Sequence, residues 1–316
     1  MQLFRNETKI GFIQSRKIAL IFSAFLIIAS IYSLASKGLN YGIDFTGGTK
    51  IELTYQNDVL AADLRSLLLE NDYTDAVVQH FGSNKDILIR IPLSTENSNA
   101  KVSTDIVELL RGATTDQLDL RSVEFIGPQF GKELFEQGIL ALIYALIGVM
   151  IYVAFRFEWK FSLGSVAALI HDIIITIGLF SILNLEFTLP VLAALLAVIG
   201  YSLNDTIVVF DRIRENFRKL READTQETMN VSINQTLPRT ILTSLTTLLV
   251  LLALYLAGGD ALNGFAATLI IGVVIGTYSS IFVASPTVLL LGVKSDDLIL
   301  DEVEKEGSEQ PDMYLP

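Results

Sequence analysis

Residues 196–216 read LAVIGYSLNDTIVVFDRIREN. The first part is apolar enough to sit in hydrocarbon, yet Asn204 and Asp205 stand side by side before the apolar run ends. Pro190 suits the first turn of a helix, so the run starts there, with Thr188 or Leu189 just outside. At ~1.5 Å per residue, Asp205 then sits ~9 Å inside the end near Asp211, still within the hydrocarbon. Even on the low insertion scale, a central aspartate costs ~2.5–3.5 kcal/mol. Asp205 is therefore expected to face other helices or a water-filled crevice, and not acyl chains.

The rest of the 316-residue chain supports a membrane setting. It is 51% hydrophobic and 18% charged, with a mean hydropathy of +0.49. A soluble domain of this length does not need so much apolar surface. Six runs approach or exceed the ~20 residues that cross a ~30 Å core: 18–35, 138–155, 161–183, 189–210, 241–256 and 265–291. Lys and Arg cluster before the first run, around the turn after the second, between the fourth and fifth, and after the sixth. The short loops 184–188 and 257–264 carry neither. The positive-inside rule places both termini in the cytoplasm. Ser33-Leu34-Ala35 also resembles a cleavage site, which would make the first run a removed signal peptide without changing the rest of the topology.

The net charge of −12 is uneven. Eight acidic residues between Asp296 and Asp312 mark a solvated tail. With no basic face or aromatic platform, nucleic-acid binding is not expected. The absence of cysteine excludes disulfides and thiolate metal sites, and the two histidines, His80 and His171, are too few for a histidine-rich metal site.

Between the first two runs lies a polar insertion, 36–137. Thr49–Tyr55 alternates like a strand, and Asp58 is placed to cap a helix over Val59–Asn71. Ala76–Phe81 and Asp86–Ile91 read as a hairpin across GSNK. Ala100–Arg111 has helical spacing, and Leu120–Ile126 returns to alternation. Strand-helix-strand-strand-helix-strand is the ferredoxin-like order. Asp44, in the glycine-rich YGIDFTGGT, reads as a turn or capping residue before a ligand. The insertion shows no nucleophile–base pairing, phosphate loop or metal spacing, so a binding or mechanical role is expected.

Asp205 has candidate partners. Tyr201 is one turn before it and Asn204 is adjacent, and both side chains can hydrogen-bond a carboxyl group. Arg239 opens the fifth run, with Thr243, Thr246 and Thr247 on the same stripe. A nearby guanidinium favours the charged carboxylate, while burial disfavours it. A group under both influences can change charge as the arginine approaches or withdraws, which is one way to couple an ion gradient to motion. Two plainer readings stand beside this one: Asp205 as a permanently bonded packing residue, and Arg239 as an ordinary positive-inside anchor. His171 and Asp172 interrupt the third run near its middle, with Thr176 one turn on. They either extend a proton path or, for His171, bond a neighbouring backbone group. Gly272, Gly276 and Ser280 repeat at the four-residue spacing of close helix packing. Pro286 is expected to kink or end the last helix.

Five stretches, in order, closely resemble the SecF family: YGIDFTGGT (41–49), VEFIGPQFGKEL (123–134), YSLNDTIVVFDRIREN (201–216), LPRTILTS (237–244) and GTYSSIFVASP (276–286). The likeness covers about residues 10 to 295 and leaves out the acidic tail. It implies a multi-pass protein of the bacterial inner membrane with the fold of the resistance-nodulation-division superfamily. It implies pairing with SecD, action beside the SecYEG channel, YajC and YidC as neighbours, and use of the proton-motive force to complete preprotein export after the SecA stage. Protons would be the coupling ion, with no cofactor and no covalent catalysis. On the family motifs, Asp205 and Arg239 belong to the proton path, and a further acidic residue lies in SecD. The expected organisation is a cytoplasmic N-terminus 1–17, a first span 18–35, a periplasmic ferredoxin-like α+β domain 36–137, a five-span bundle 138–291 and an acidic cytoplasmic tail 292–316.

Overall fold

The computed structural model describes residues 8–81, 83–92, 99–113, 118–220 and 223–293. The acidic tail and Gly82 lie outside the described residues. In chain order the elements are α1 (Arg16–Ser36), β1 (Asn40–Tyr41), α2 (Ile43–Thr46), β2 (Gly48–Tyr55), α3 (Ala61–Glu70), β3 (Val77–Phe81), β4 (Ser83–Ile91), α4 (Asn99–Ala113), β5 (Leu118–Ile126), α5 (Pro128–Arg156), α6 (Trp159–Ile182), β6 (Glu186–Phe187), α7 (Leu189–Lys219), α8 (Thr225–Ala257) and α9 (Asp260–Ser279). A π-helical turn (Ser280–Ala284) then leads into α10 (Ser285–Leu290).

Among the described residues, six helical spans are long and apolar enough to cross a membrane: α1, α5, α6, α7, α8 and the stretch Leu262–Leu290. Buried shares of 56%, 50% and 50% put α6, α7 and the last span at the centre of the bundle, against 22%, 11% and 17% for α1, α5 and α8. The outer helices turn large apolar side chains outward, among them Ile18, Phe25 and Ile28 on α1, Phe155 on α5, and Val250 and Leu256 on α8. Such surface is stable only against lipid or another apolar chain.

The insertion folds as a four-stranded antiparallel sheet in the order β3-β4-β2-β5. Alternation along β2 sends Ile51, Leu53 and Tyr55 to one face, where they meet Leu64 and Leu68 of α3 and Ile106 and Leu110 of α4. Each such side chain contributes ~1.5–3 kcal/mol of burial. Two local expectations fail. Leu60, not Asp58, is the N-cap residue of α3 and makes no side-chain cap, while Asp58 instead accepts from Asn84 Nδ2 at 3.5 Å. The hairpin is tighter than GSNK suggests, because Ser83, Asn84 and Lys85 already belong to β4.

The insertion is tied to the bundle at its base. Gly47 and Gly48 have φ of 74° and 143°, conformations that side chains other than glycine rarely adopt. A Cβ on Gly48 would lie 2.5 Å from the Ile91 carbonyl oxygen. This turn brings α2 back to α5, where Gly131 packs against the Phe45 backbone. β1 pairs in parallel with β6, joining the chain after α1 to the loop between α6 and α7.

The spans are longer than the hydropathy reading at both ends of the bundle: on the insertion side α5 begins at Pro128 and not at 138, and the other departures lie at the far end. α7 runs on to Lys219 and α8 begins at Thr225, so Arg239 lies inside α8 and does not open it. The extra turns are held by packing: Phe12 and Ile13 join Phe217, Met229 and Ile233 in one core cluster. Pro238 sits inside α8 and cannot donate to the Asn234 carbonyl, which instead accepts from Thr8 Oγ1 at 3.5 Å. Pro286 does not end the last helix. The π-helical turn before it accommodates the missing backbone donor, and the helix continues to Leu290.

Candidate functional site: two buried acids in the bundle

Asp205 lies mid-way along α7 and is 2% exposed. Its Oδ2 is buried with no hydrogen-bond partner. On α8, Ser244 lies beside the carboxyl group, and Arg239 is close enough to act on its charge. No ion pair joins Asp205 to Arg239 among the described residues. Ser244 Oγ is also 2.7 Å from Thr277 Oγ1 of α9, which donates to the Val273 carbonyl at 2.7 Å.

The expected local partners of Asp205 do not materialise. The Tyr201 hydroxyl is buried without a partner. Asn204 is exposed, because adjacent helical residues point about 100° apart. Thr243 bonds its own helix, donating to the carbonyls of Arg239 and Thr240.

Asp172 on α6 forms the second site, and it is fully satisfied. Its Oδ2 accepts from Ser202 Oγ of α7 at 2.6 Å and from Ser279 Oγ of α9 at 2.8 Å. Its Oδ1 is 2.9 Å from His171 Nδ1. His171 does not bond a neighbouring backbone group. Its Nε2 is 3.2 Å from Ser23 Oγ of α1, and its ring stacks on Tyr278. The Tyr278 hydroxyl is 3.1 Å from Ser23 Oγ and donates to the Ala19 carbonyl at 2.7 Å. Ser23, Ser202 and Ser279 escaped sequence reading because isolated serines in apolar runs are common. The one available signal was the small-polar stripe Ser23, Ser30 and Ser33 on α1.

Close packing brings these helices together. A Cβ on Gly178 would fall 2.1 Å from Ser30 Cβ, so α1 lies directly on α6. Gly272 and Gly276 face Val198 and Ser202, which seats α9 on α7. Ser280, in the π-helical turn, bonds the Thr277 carbonyl and is buried. Thr176 is buried with its hydroxyl unpartnered.

A third polar cluster joins the insertion to the bundle. Arg90 of β4 pairs with Glu186 of β6. Burial pushes the Glu186 carboxyl above its usual range, outweighing the Arg90 guanidinium. Asp44 accepts from the Leu189 backbone N–H at 2.8 Å, capping α7 from another element. Around them opens a cleft of about 590 Å³ lined by Lys50, His80, Arg90 and Glu124 among others.

Comparison with known proteins accounts for this architecture. The family described as "Protein export membrane protein SecD/SecF, C-terminal" matches residues 106–294, and the "SecD/SecF GG Motif" matches residues 32–59, around Gly47 and Gly48. The Protein translocase subunit SecF of Vibrio alginolyticus is 46% identical over 312 residues, covering 99% of both chains. That of Pseudomonas aeruginosa is 46% identical over 302 residues, covering 96% of this chain and 98% of its own. Among solved structures, the crystal structure of SecDF from Thermus thermophilus, described as a translocon-associated membrane protein, superposes with a TM-score of 0.81 at 37% identity. That match covers 92% of this chain, which spans only 39% of the Thermus chain. A matched family profile across most of the bundle, and relatives of nearly equal length, make this chain a multi-pass membrane protein belonging to the SecD/SecF family, among its SecF members.

Proposed function

We propose that the chain is the SecF-type half of a SecD–SecF pair that draws exported proteins across the bacterial inner membrane at the expense of the proton-motive force. Both termini and the basic loops face the cytoplasm, and the ferredoxin-like insertion stands in the periplasm, where it meets the emerging preprotein. The chain acts beside SecYEG, with YajC and YidC in the same assembly, and completes export after the SecA stage. It transduces a gradient and catalyses no covalent reaction.

The observation that carries this reading is the state of Asp205: buried in a membrane helix, one oxygen unpartnered, Arg239 within electrostatic reach. A protonated Asp205 fits the site as it stands, because the group is buried, one oxygen has no partner and no ion pair reaches it among the described residues. An ionised Asp205 needs the guanidinium brought closer. Proton uptake and release therefore favour different spacings of α7 and α8. Because α7 starts at the Asp44 cap, a change in its position reaches the base of the insertion.

The test is late-stage translocation into inverted vesicles carrying the SecD partner and either Asp205→Asn or Arg239→Met. Stimulation by the proton-motive force is lost in both while the complex still assembles. Retained stimulation in both variants would leave the chain an architectural support for SecD.

A further inference from the structure

The Asp172–His171 cluster holds more donors and acceptors than a merely structural bond would need, and its hydrogens can be counted. Tyr278 has one hydroxyl hydrogen and spends it on the Ala19 carbonyl, so it can only accept from Ser23. Ser23 then has no hydrogen left for His171, and the 3.2 Å contact is made only if His171 Nε2 carries one. On the other side of the ring, one hydrogen must lie between Nδ1 and Asp172 Oδ1. All contacts are satisfied together only when the pair holds one proton beyond a carboxylate and a neutral imidazole. Charge leads to the same count. The pair is then neutral overall, as imidazolium–carboxylate or as imidazole–carboxylic acid, whereas losing the proton leaves a net negative charge where both side chains are 3% exposed or less.

We infer that Asp172 and His171 form a second proton-binding site in the bundle, separate from Asp205, in which the bound proton fastens α1 to α6. The inference does not depend on Asp205 carrying the coupling proton. The surrounding elements supply no charge that could replace the proton. α7 presents Ser202, with Tyr201 and Asp205 further along. α9 presents Ser279 and Tyr278. The π-helical turn and α10 bring no titratable side chain. On α1, the ionisable residues Arg16, Lys17 and Tyr32 stand well to either side of Ser23. On α5, the packed neighbour of α6, Tyr144 and Tyr152 are exposed. Losing the proton breaks the contact to Ser23. α1 leads directly into β1 and the insertion, so the release would be transmitted there.

The test uses the chain's two histidines. In the full chain bearing His80→Gln, His171 is the remaining imidazole, and nitrogen-15 NMR of labelled histidine in lipid bilayers reads its two nitrogens at neutral pH. The expected spectrum shows a hydrogen on Nε2, whichever partner holds the other proton. A bare Nε2 with hydrogen on Nδ1 alone would overturn the proposal. Ser23→Ala removes the acceptor and is expected to reduce the share of the ring that carries a hydrogen on Nε2 in the same spectrum. An unchanged spectrum in Ser23→Ala would overturn the link to α1.

Discussion

Asp172 and Asp205 lie on neighbouring helices of one bundle, both almost wholly shielded from solvent, yet their surroundings are opposite. Asp172 collects hydrogen bonds from two other helices and from the adjacent imidazole. Asp205 has an oxygen with no partner and a cation that acts on it from a distance. Burial alone therefore does not decide how an acid is held. A saturated carboxylate holds helices together, because each donor it accepts becomes costly to leave alone. An unsaturated one stores a demand that protonation or the approach of a cation can meet. Ser202, one turn before Asp205 on α7, places both behaviours on the same helix.

The sharpest way to break this contrast is to remove each acid in turn. Asp172→Ala should cost ~3–5 kcal/mol, because it leaves Ser202 and the His171 Nδ1 buried without their acceptor and Ser279 with only the Gly276 carbonyl. Thermal unfolding of the full chain in detergent measures that loss. Asp205→Asn should alter the same unfolding by less than ~1 kcal/mol while abolishing gradient-driven export. If Asp205→Asn proved as destabilising as Asp172→Ala, both acids would be structural and the contrast would vanish.

Packing that brings the two sites together gives an intermediate effect. Gly272→Ala would set a Cβ 2.1 Å from Val198 Cγ2 on a stiff, β-branched side chain. The expected cost is ~1–3 kcal/mol, read in the same unfolding experiment. Tolerance without loss would mean that α9 and α7 are less closely seated than the geometry requires.

The smallest effect is at the joint with the insertion. Burial raises the Glu186 carboxyl above its usual range, so the folded protein favours the protonated form despite Arg90. That contribution is complete below the ordinary glutamate range and is lost as pH rises through the raised value. The change should stay below ~1 kcal/mol and disappear in Glu186→Gln. It is measured as the difference between the two chains in the pH dependence of unfolding. A contribution that grew with pH would reverse the sign.

How much of this could be read in advance differs by element. The apolar runs announced the spans, since hydrocarbon demands length and hydropathy that few other contexts do. They did not announce that α7 and α8 continue far beyond those runs. Those turns are polar and depend on Phe12, Ile13 and the Ile10 backbone, which bonds Asn234 of α8, arriving from a distant part of the chain. Asp205 stood out because a lone carboxylate violates the composition around it. Asp172 stood out equally, but its meaning did not, because Ser202 and Ser279 are 30 and 107 residues away and unremarkable in themselves.

By itself, then, the amino-acid order determined where the chain can tolerate hydrocarbon, which positions break that rule, and which family motifs surround them. All of these follow from local composition and spacing along the chain. Only the tertiary structure decided which acid is satisfied and which is not, that Asn204 and Tyr201 leave Asp205 alone, and that Asp44 caps a helix far from it in sequence. Those outcomes depend on how each helix is rotated about its axis against its neighbours. That rotation is set by glycine contacts and side-chain packing summed over the whole bundle, and no single segment carries it.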